Sequence, residues 1–389
     1  MADDAATFLG YERPDGSYGV RNHVLVLSIL GLTSASARRI ARLVRGTRCV
    51  TTPYGRGLIG ADADLHRRTL TGLGRHPNVA AVLVVGADRK AVDRVAGEIA
   101  ASGKPVEALA LDDVHEDALA LTDRGVRACV PLARDASRLR RVPAPLAALF
   151  CGLECGHSDT TSGLVANPLA GLVVDRLVEA GGRAVFGETV EWLGAEHLLA
   201  GRAATPEVGQ AIRAAVARRE ALAVAAGLDL TGNNPGAENI AGGLSTIEEK
   251  SLGGISKGGR APIRGLLGFA EPPREPGLYV MDGPAFSPES MTGMVSAGAQ
   301  LMLFTTGPGN SVVSGLAPTI KISANPQASH RLAEQIDFDA SAAFLGQEGL
   351  PAAAGQLFRL VLEVASGGLT LGEILDEGEE VVTRLQPSL

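Results

Sequence analysis

Residues 151–168 read CGLECGHSDTTSGLVANP. This stretch gathers two thiols, a glutamate, an imidazole, an aspartate and four hydroxyls, with little apolar bulk between them. Cys151 and Cys155 are four apart, too loose for a C-x-x-C redox pair. Two cysteines also fall short of the four ligands of a structural zinc site. Cys155, His157 and Asp159 alternate, so on an extended segment they share one face. A polar turn capping the helix after Asn167-Pro168 accounts for SDTTSG, but a cap does not need thiol, imidazole and two carboxylates together. The stretch therefore points to the wall of an active site.

Two other stretches carry chemistry. GETVEWLGAEH (187–197) brings Glu188, Glu191, Glu196 and His197, groups that bind divalent metals or move protons. NNPGAENIAGGLSTIEEKSLGGISKGG (233–259) opens with amides and a carboxylate in tight turns. Ser245 and Glu248 have capping-box spacing, which predicts a helix from about Thr246. Lys250 follows as a carboxylate anchor or a Schiff-base lysine. GPGN (307–310) and GGISKGG (253–259) match neither the P-loop nor the G-x-G-x-x-G pattern, so they read as turns or anion sites.

The elements that must position these groups alternate. RNHVLVLSIL (21–30), VAAVLVVGA (79–87) and PVEALAL (105–111) read as buried strands, with helices after the first two. The order restarts at LAALFCGLECG (146–156), with later strands at RAVFGET, GLYVMD (277–282), QLMLFTTG (300–307) and TIKISAN (319–325). This predicts an α/β protein of two Rossmann-like or flavodoxin-like units with mostly parallel sheets: residues 1–140, and residues 141–389 carrying most of the site. RDASRLRRVPAPL reads as the linker between them. Ligands bind beyond the carboxyl ends of such strands, which puts Asp282, Thr305, Thr306 and Asn325 on one rim.

With 46% hydrophobic residues, the 389-residue chain can bury a large core. A net charge of -7 without a basic block argues against nucleic acid. There is no apolar run long enough to span a membrane and no signal-peptide core at MADDAATFLGYERPDG, so the expected compartment is the cytoplasm. Four cysteines do not make a disulfide scaffold.

GYERPDGSYGVRNHVLVL, ECGHSDTTSGLVANP, GETVEWLGAEHLLA, ENIAGGLSTIEEKSLG and FTTGPGN…APTIKISANP together resemble the altronate/galactarate dehydratase family, from Gly10 to about Gly368. The resemblance implies a lyase that eliminates a β-substituent, usually water from a sugar acid, to give a 2-keto acid. A related branch resembles sulfolactate sulfo-lyase and expels sulfite. It also implies a divalent metal, Fe2+ first, with Mn2+ or Mg2+ as alternatives. Fuller members carry a small N-terminal domain of about a hundred residues. This chain starts at the larger part, which implies the large subunit of a two-chain enzyme with a small partner, and an oligomer. Two features depart from the sugar-acid dehydratases. TPYGRGL (52–58) puts Arg56 where HPYGCGQ has cysteine, and GADRK (86–90) replaces a GLGCE-like segment. Arg56 resembles the sulfo-lyase branch, and a guanidinium binds sulfonate or carboxylate with paired hydrogen bonds.

Such an elimination needs a base, a stabiliser for the aci-carboxylate, and help for the leaving group. The metal candidates are Cys155, Glu188 and Glu191. The acid/base candidates are His157, Asp159 and Lys250. Arg56, Ser158, Thr160, Thr161, Asn239, Thr306 and Asn310 are expected to hold the substrate. A catalytically silent sugar-acid-binding or scaffold paralogue is the rival from another class.

Overall fold

The computed structural model describes residues 7–230 and 234–384. Met1–Ala6, at the start of the acidic N-terminus, and Asn233 of the NNPGAEN run lie outside the described residues. The chain opens with β1 (Thr7–Glu12) and β2 (Tyr18–Gly19), then β3 (His23–Ser28), β4 (Thr47–Val50), β5 (Val79–Gly86) and β6 (Val106–Ala110). The last four form an all-parallel sheet in the order β4-β3-β5-β6. Helices Ser34–Leu43, Gly60–Arg75 and Arg89–Ala100 make the crossovers. Every residue of β5 is buried, as expected of a central parallel strand with helices on both faces.

The stretch expected as a linker folds differently. Helix Ala118–Ala136 runs into it, and its second half is strand β7 (Val142–Pro145), antiparallel to β1. Pro143 and Pro145 cannot donate to a ladder, which suits a strand paired on one side only.

The larger sheet is all parallel. It comprises β8 (Phe150–Cys155), β9 (Arg183–Phe186), β10 (Ile263–Leu267), β11 (Gly277–Met281), β12 (Leu301–Thr306), β13 (Thr319–Ser323) and β14 (Phe338–Asp339), in the order β10-β11-β9-β8-β12-β13-β14. The chain leaves β8 toward β9 on one side and returns with β12 on the other. The carboxyl end of β8 is thus a topological switch point, where open α/β sheets bind their ligands. Cys155 is the last residue of that strand.

The two parallel sheets are separate but share one core. Leu25, Val82 and Leu83 belong to the same apolar cluster as Met291, Phe304 and Leu316. Helix Gly60–Arg75 packs on helix Ser287–Ser296, and at Gly72 a Cβ would strike the Ser296 carbonyl. Among the described residues no helix is long and apolar enough to cross a membrane.

Candidate active site

The carboxyl-end turns of β8 and β9 meet a helix and turn that precede β10. After β9 the chain turns sharply at Glu188, whose φ of 69° is left-handed. A short 3-10 turn, Thr189–Trp192, follows. Trp192 fixes this turn by donating from its indole Nε1 to the Gly187 carbonyl at 3.0 Å and packing edge-on against Phe186. From the other side come helix Ile247–Ile255 and the turn Ser256–Gly258. The helix start differs by one residue from the sequence expectation. Thr246 is the cap, accepting from the Glu249 amide, and Glu249 reaches back to Ser245 at 2.8 Å. Threonine and serine are both competent caps, so spacing alone chose the wrong pair.

These turns bring the three metal-donor candidates together. The Cys155 thiol lies 3.6 Å from Glu188 and 3.7 Å from Glu191. One donor atom from each of Cys155, Glu188 and Glu191 falls within 4.8 Å of the others. Lys250 pairs with Glu191 at 2.9 Å and donates to Asn234 Oδ1 at 2.8 Å, so it is a carboxylate anchor.

Two residues to which the sequence gives no individual role complete the cluster. Lys257 is 2% exposed, donates to Cys155 Sγ at 3.0 Å and is in direct contact with the Glu188 carboxylate. Glu154 is fully buried and accepts from Ser290 Oγ at 2.8 Å. The signal for Glu154 was a charged residue inside an otherwise apolar strand. For Lys257 it was a lone cation among glycines.

The electrostatics follow from burial. Burial and then the Glu188 charge push the Cys155 thiol far above its ordinary pKa. Burial first, and then Glu188, also push Glu154 well up. Burial opposes the Lys257 ammonium, but the Cys155 and Glu188 charges outweigh it and raise its pKa. Burial likewise opposes Lys250, and Glu191 outweighs it. Glu188 is raised by burial and pulled back by Lys257. Contact with an ammonium favours carboxylate on Glu188, whereas at Glu154 burial and the Glu188 charge outweigh the pull of Lys257. Lys257 thus pairs with Glu188 and Lys250 with Glu191, and a metal cation at the site would favour the Cys155 thiolate. A buried thiol with two carboxylates is a donor set that suits a divalent transition metal. On this test the residues fit the ion that the resemblance implies.

The expected common face of Cys155, His157 and Asp159 does not form, because the strand ends at Cys155 and His157 is left-handed with φ 55°. His157 is exposed, and its Nδ1 lies 2.9 Å from the Gly309 carbonyl. A carbonyl only accepts, so Nδ1 carries a proton and donates it to this bond. Asp159 is buried and fully engaged. It accepts from Thr161 Oγ1 at 2.7 Å, the Ser162 amide at 2.9 Å and Asn325 Nδ2 at 3.0 Å. It acts as the cap of the following helical segment.

Several substrate-holding candidates are also engaged in building the loops. Asn239 clamps the Ser158 carbonyl at 2.8 Å, and Thr160 Oγ1 donates to Gly242 at 2.9 Å. Thr306 and Asn310 accept from the amides of Gly309 and Val312. Ser158 is buried. Asp282 pairs with Arg218 and Arg219 and bonds Thr189 at 2.9 Å, bracing the turn that carries Glu188. Arg56 is exposed, in the loop between β4 and helix Gly60–Arg75.

Residues 146–388 match the family model described as D-galactarate/Altronate dehydratase, C-terminal, and residues 10–137 match D-galactarate dehydratase/Altronate hydrolase, second domain. The chain belongs to the D-galactarate/altronate dehydratase family. It is 41% identical to the (2R)-sulfolactate sulfo-lyase subunit beta of Chromohalobacter salexigens, over 98% of each chain. It is 30% identical to altronate dehydratase of Bacillus subtilis, over 95% of this chain and 76% of that one. It is 27% identical to galactarate dehydratase (L-threo-forming) of Escherichia coli, over 93% and 73%. Dehydratases and sulfo-lyases are lyases, and this family member is a lyase.

Proposed function

We propose that this chain is the large, catalytic subunit of a cytoplasmic two-chain lyase that expels sulfite from a 2-hydroxy-3-sulfo acid of the sulfolactate type. The observation that carries this reading is the 41% identity to a sulfo-lyase subunit beta along the full length of both chains. Arg56, a cation between two glycines where the sugar-acid dehydratases have cysteine, supports it as the sulfonate anchor. A small partner chain of about a hundred residues would contribute to the site, within a larger oligomer.

The reaction removes the proton alpha to the carboxylate and breaks the C–S bond. Sulfite leaves with the bonding pair, and the enol tautomerises to a 2-keto acid. His157 is the favoured base, because it is exposed and its Nδ1 is spent on the Gly309 carbonyl, which leaves Nε2 as the nitrogen to take a proton; Lys250 stays paired with Glu191. Cys155, Glu188 and Glu191 would hold a divalent ion, iron first and manganese or magnesium otherwise. When bound, the ion supplies Lewis-acid stabilisation of negative charge on the substrate. Asp159 and Asn239 keep the loop bearing His157 and Ser158 in place.

The family-model match over 146–388 and the altronate dehydratase relatives favour a second reading, loss of water from a sugar acid. The test co-expresses the chain with its small partner, loads Fe2+ anaerobically, and supplies (2R)-sulfolactate, altronate and galactarate separately. Sulfite release from sulfolactate alone is the expected result. A 2-keto acid from altronate or galactarate without sulfite supports the second reading. No product from any of the three means a silent paralogue.

A further inference from the structure

The metal reading leaves Lys257 unexplained. A buried lysine is costly unless paired. This one makes its contacts with the donors themselves, Cys155 Sγ at 3.0 Å and Glu188 Oε2. An ammonium against those atoms occupies the space a bound ion would take. The two cations are mutually exclusive on Coulomb grounds, since like charges at contact in a dry site repel strongly. Lys257 is the centre of a three-residue turn, Ser256–Gly258, with Gly258 and Gly259 after it. Phe186 closes over Gly258 so tightly that no side chain fits there. The turn is therefore held, and any change of partner at Lys257 falls to its four-carbon stem. Lys250 differs, because it touches Glu191 alone among the three donors and reaches outward to Asn234.

We infer that Lys257 is a built-in competitor for the metal: its ammonium keeps Cys155 and Glu188 paired in the metal-free protein and must leave them when a divalent ion binds. This inference rests on the metal reading above. It makes the metal-free site stable in itself, and it sets the affinity of the site through the work of moving one side chain.

The test uses the full chain with Co2+ as the probe, followed by the thiolate-to-cobalt charge-transfer band and by calorimetry. Lys257→Met and Lys257→Gln are compared with the parent. Both variants are expected to bind Co2+ about tenfold to a hundredfold more tightly, the value of one lost charge-assisted hydrogen bond. Both are expected to melt several degrees lower without metal and to regain the difference when loaded. Variants that bind Co2+ equally or more weakly than a parent that binds it overturn the inference while leaving the metal reading intact. A parent without the band whose variants acquire it supports the inference. No band in the parent or in either variant overturns the metal reading and the inference together. Should a variant fold only when metal is added, the refolded yield with and without Co2+ is the readout, and a large gain with Co2+ supports the inference.

Discussion

At the scale of single residues, chemical type and proximity in sequence went further than pattern. Cys155, Glu188 and Glu191 were singled out as metal donors, and their ligand atoms fall within 4.8 Å of one another. Lys257 and Glu154 escaped notice for a physical reason. Both sit in stretches that the sequence singles out, 151–168 and 253–259, but each meets its partner more than a hundred residues away, which no local pattern shows. Two predictions belong here. His157→Asn is expected to lower kcat by roughly 10²–10⁴, the range for losing a general base, with little change in melting temperature because the ring is exposed. Steady-state kinetics with a thermal melt check it. Arg56→Lys is expected to raise KM for the sulfonate substrate by about tenfold to more than a hundredfold, since lysine cannot form the forked pair. An unchanged KM would remove Arg56 from the site.

At the scale of elements, the strands were legible because buried parallel strands are apolar without interruption, and the helices because their caps and glycine stops are local. What was not legible was where extended chain gives way to a turn. The segment after β8 leaves the strand at Cys155, so alternation put His157 and Asp159 on a face that does not exist. The Pro-containing stretch after helix Ala118–Ala136 was misread because its partner, β1, lies more than a hundred residues earlier. Asp159 illustrates how an element uses a residue that looked catalytic. With three donors on its two oxygens it holds the loop together, so Asp159→Ala is expected to cost about 1–2 kcal/mol of stability, typical of a lost helix cap. Urea unfolding reads this. A loss of activity with unchanged stability would return Asp159 to the acid/base group.

At the scale of the whole molecule, the seam between the two parallel sheets is polar at its heart and sensitive to acid. Asn78, fully buried, donates to the carbonyls of Gln300 and Leu316 at 2.9 Å. His76 accepts from the Asn78 amide at its Nδ1, so its Nε2 donates to Ala299 at 2.9 Å and the ring is neutral. Burial, ahead of neighbouring cations, holds both His23 and His76 at a pKa of about 3, against 6.5 for the free side chain. Between those values the unfolded chain takes up protons that the folded chain refuses. The stabilisation is therefore complete above pH 6.5 and is lost as pH falls toward 3, by on the order of 1.4 kcal/mol per pH unit for each ring. Urea unfolding at stepped pH is expected to show this slope, and His76→Gln to flatten it. The C-terminal segment lies across the same seam. Val382 is buried in the shared core, Thr383 donates to Glu289 at 2.6 Å, and the Arg384 guanidinium sits 4.6 Å above the Tyr54 ring. Removing the chain after Gly378 is expected to cost at least about 1.5 kcal/mol from Val382 alone, read as faster hydrogen exchange in helix Ser287–Ser296. The ribbon of β1 and β7 gives this arrangement a mechanical meaning. Gly10 faces Val142 across it, so the polypeptide enters and leaves the smaller unit at neighbouring points, as the covers of a book share a spine. The two connections are thereby tied to each other, and the C-terminal segment is a second tie across the shared core.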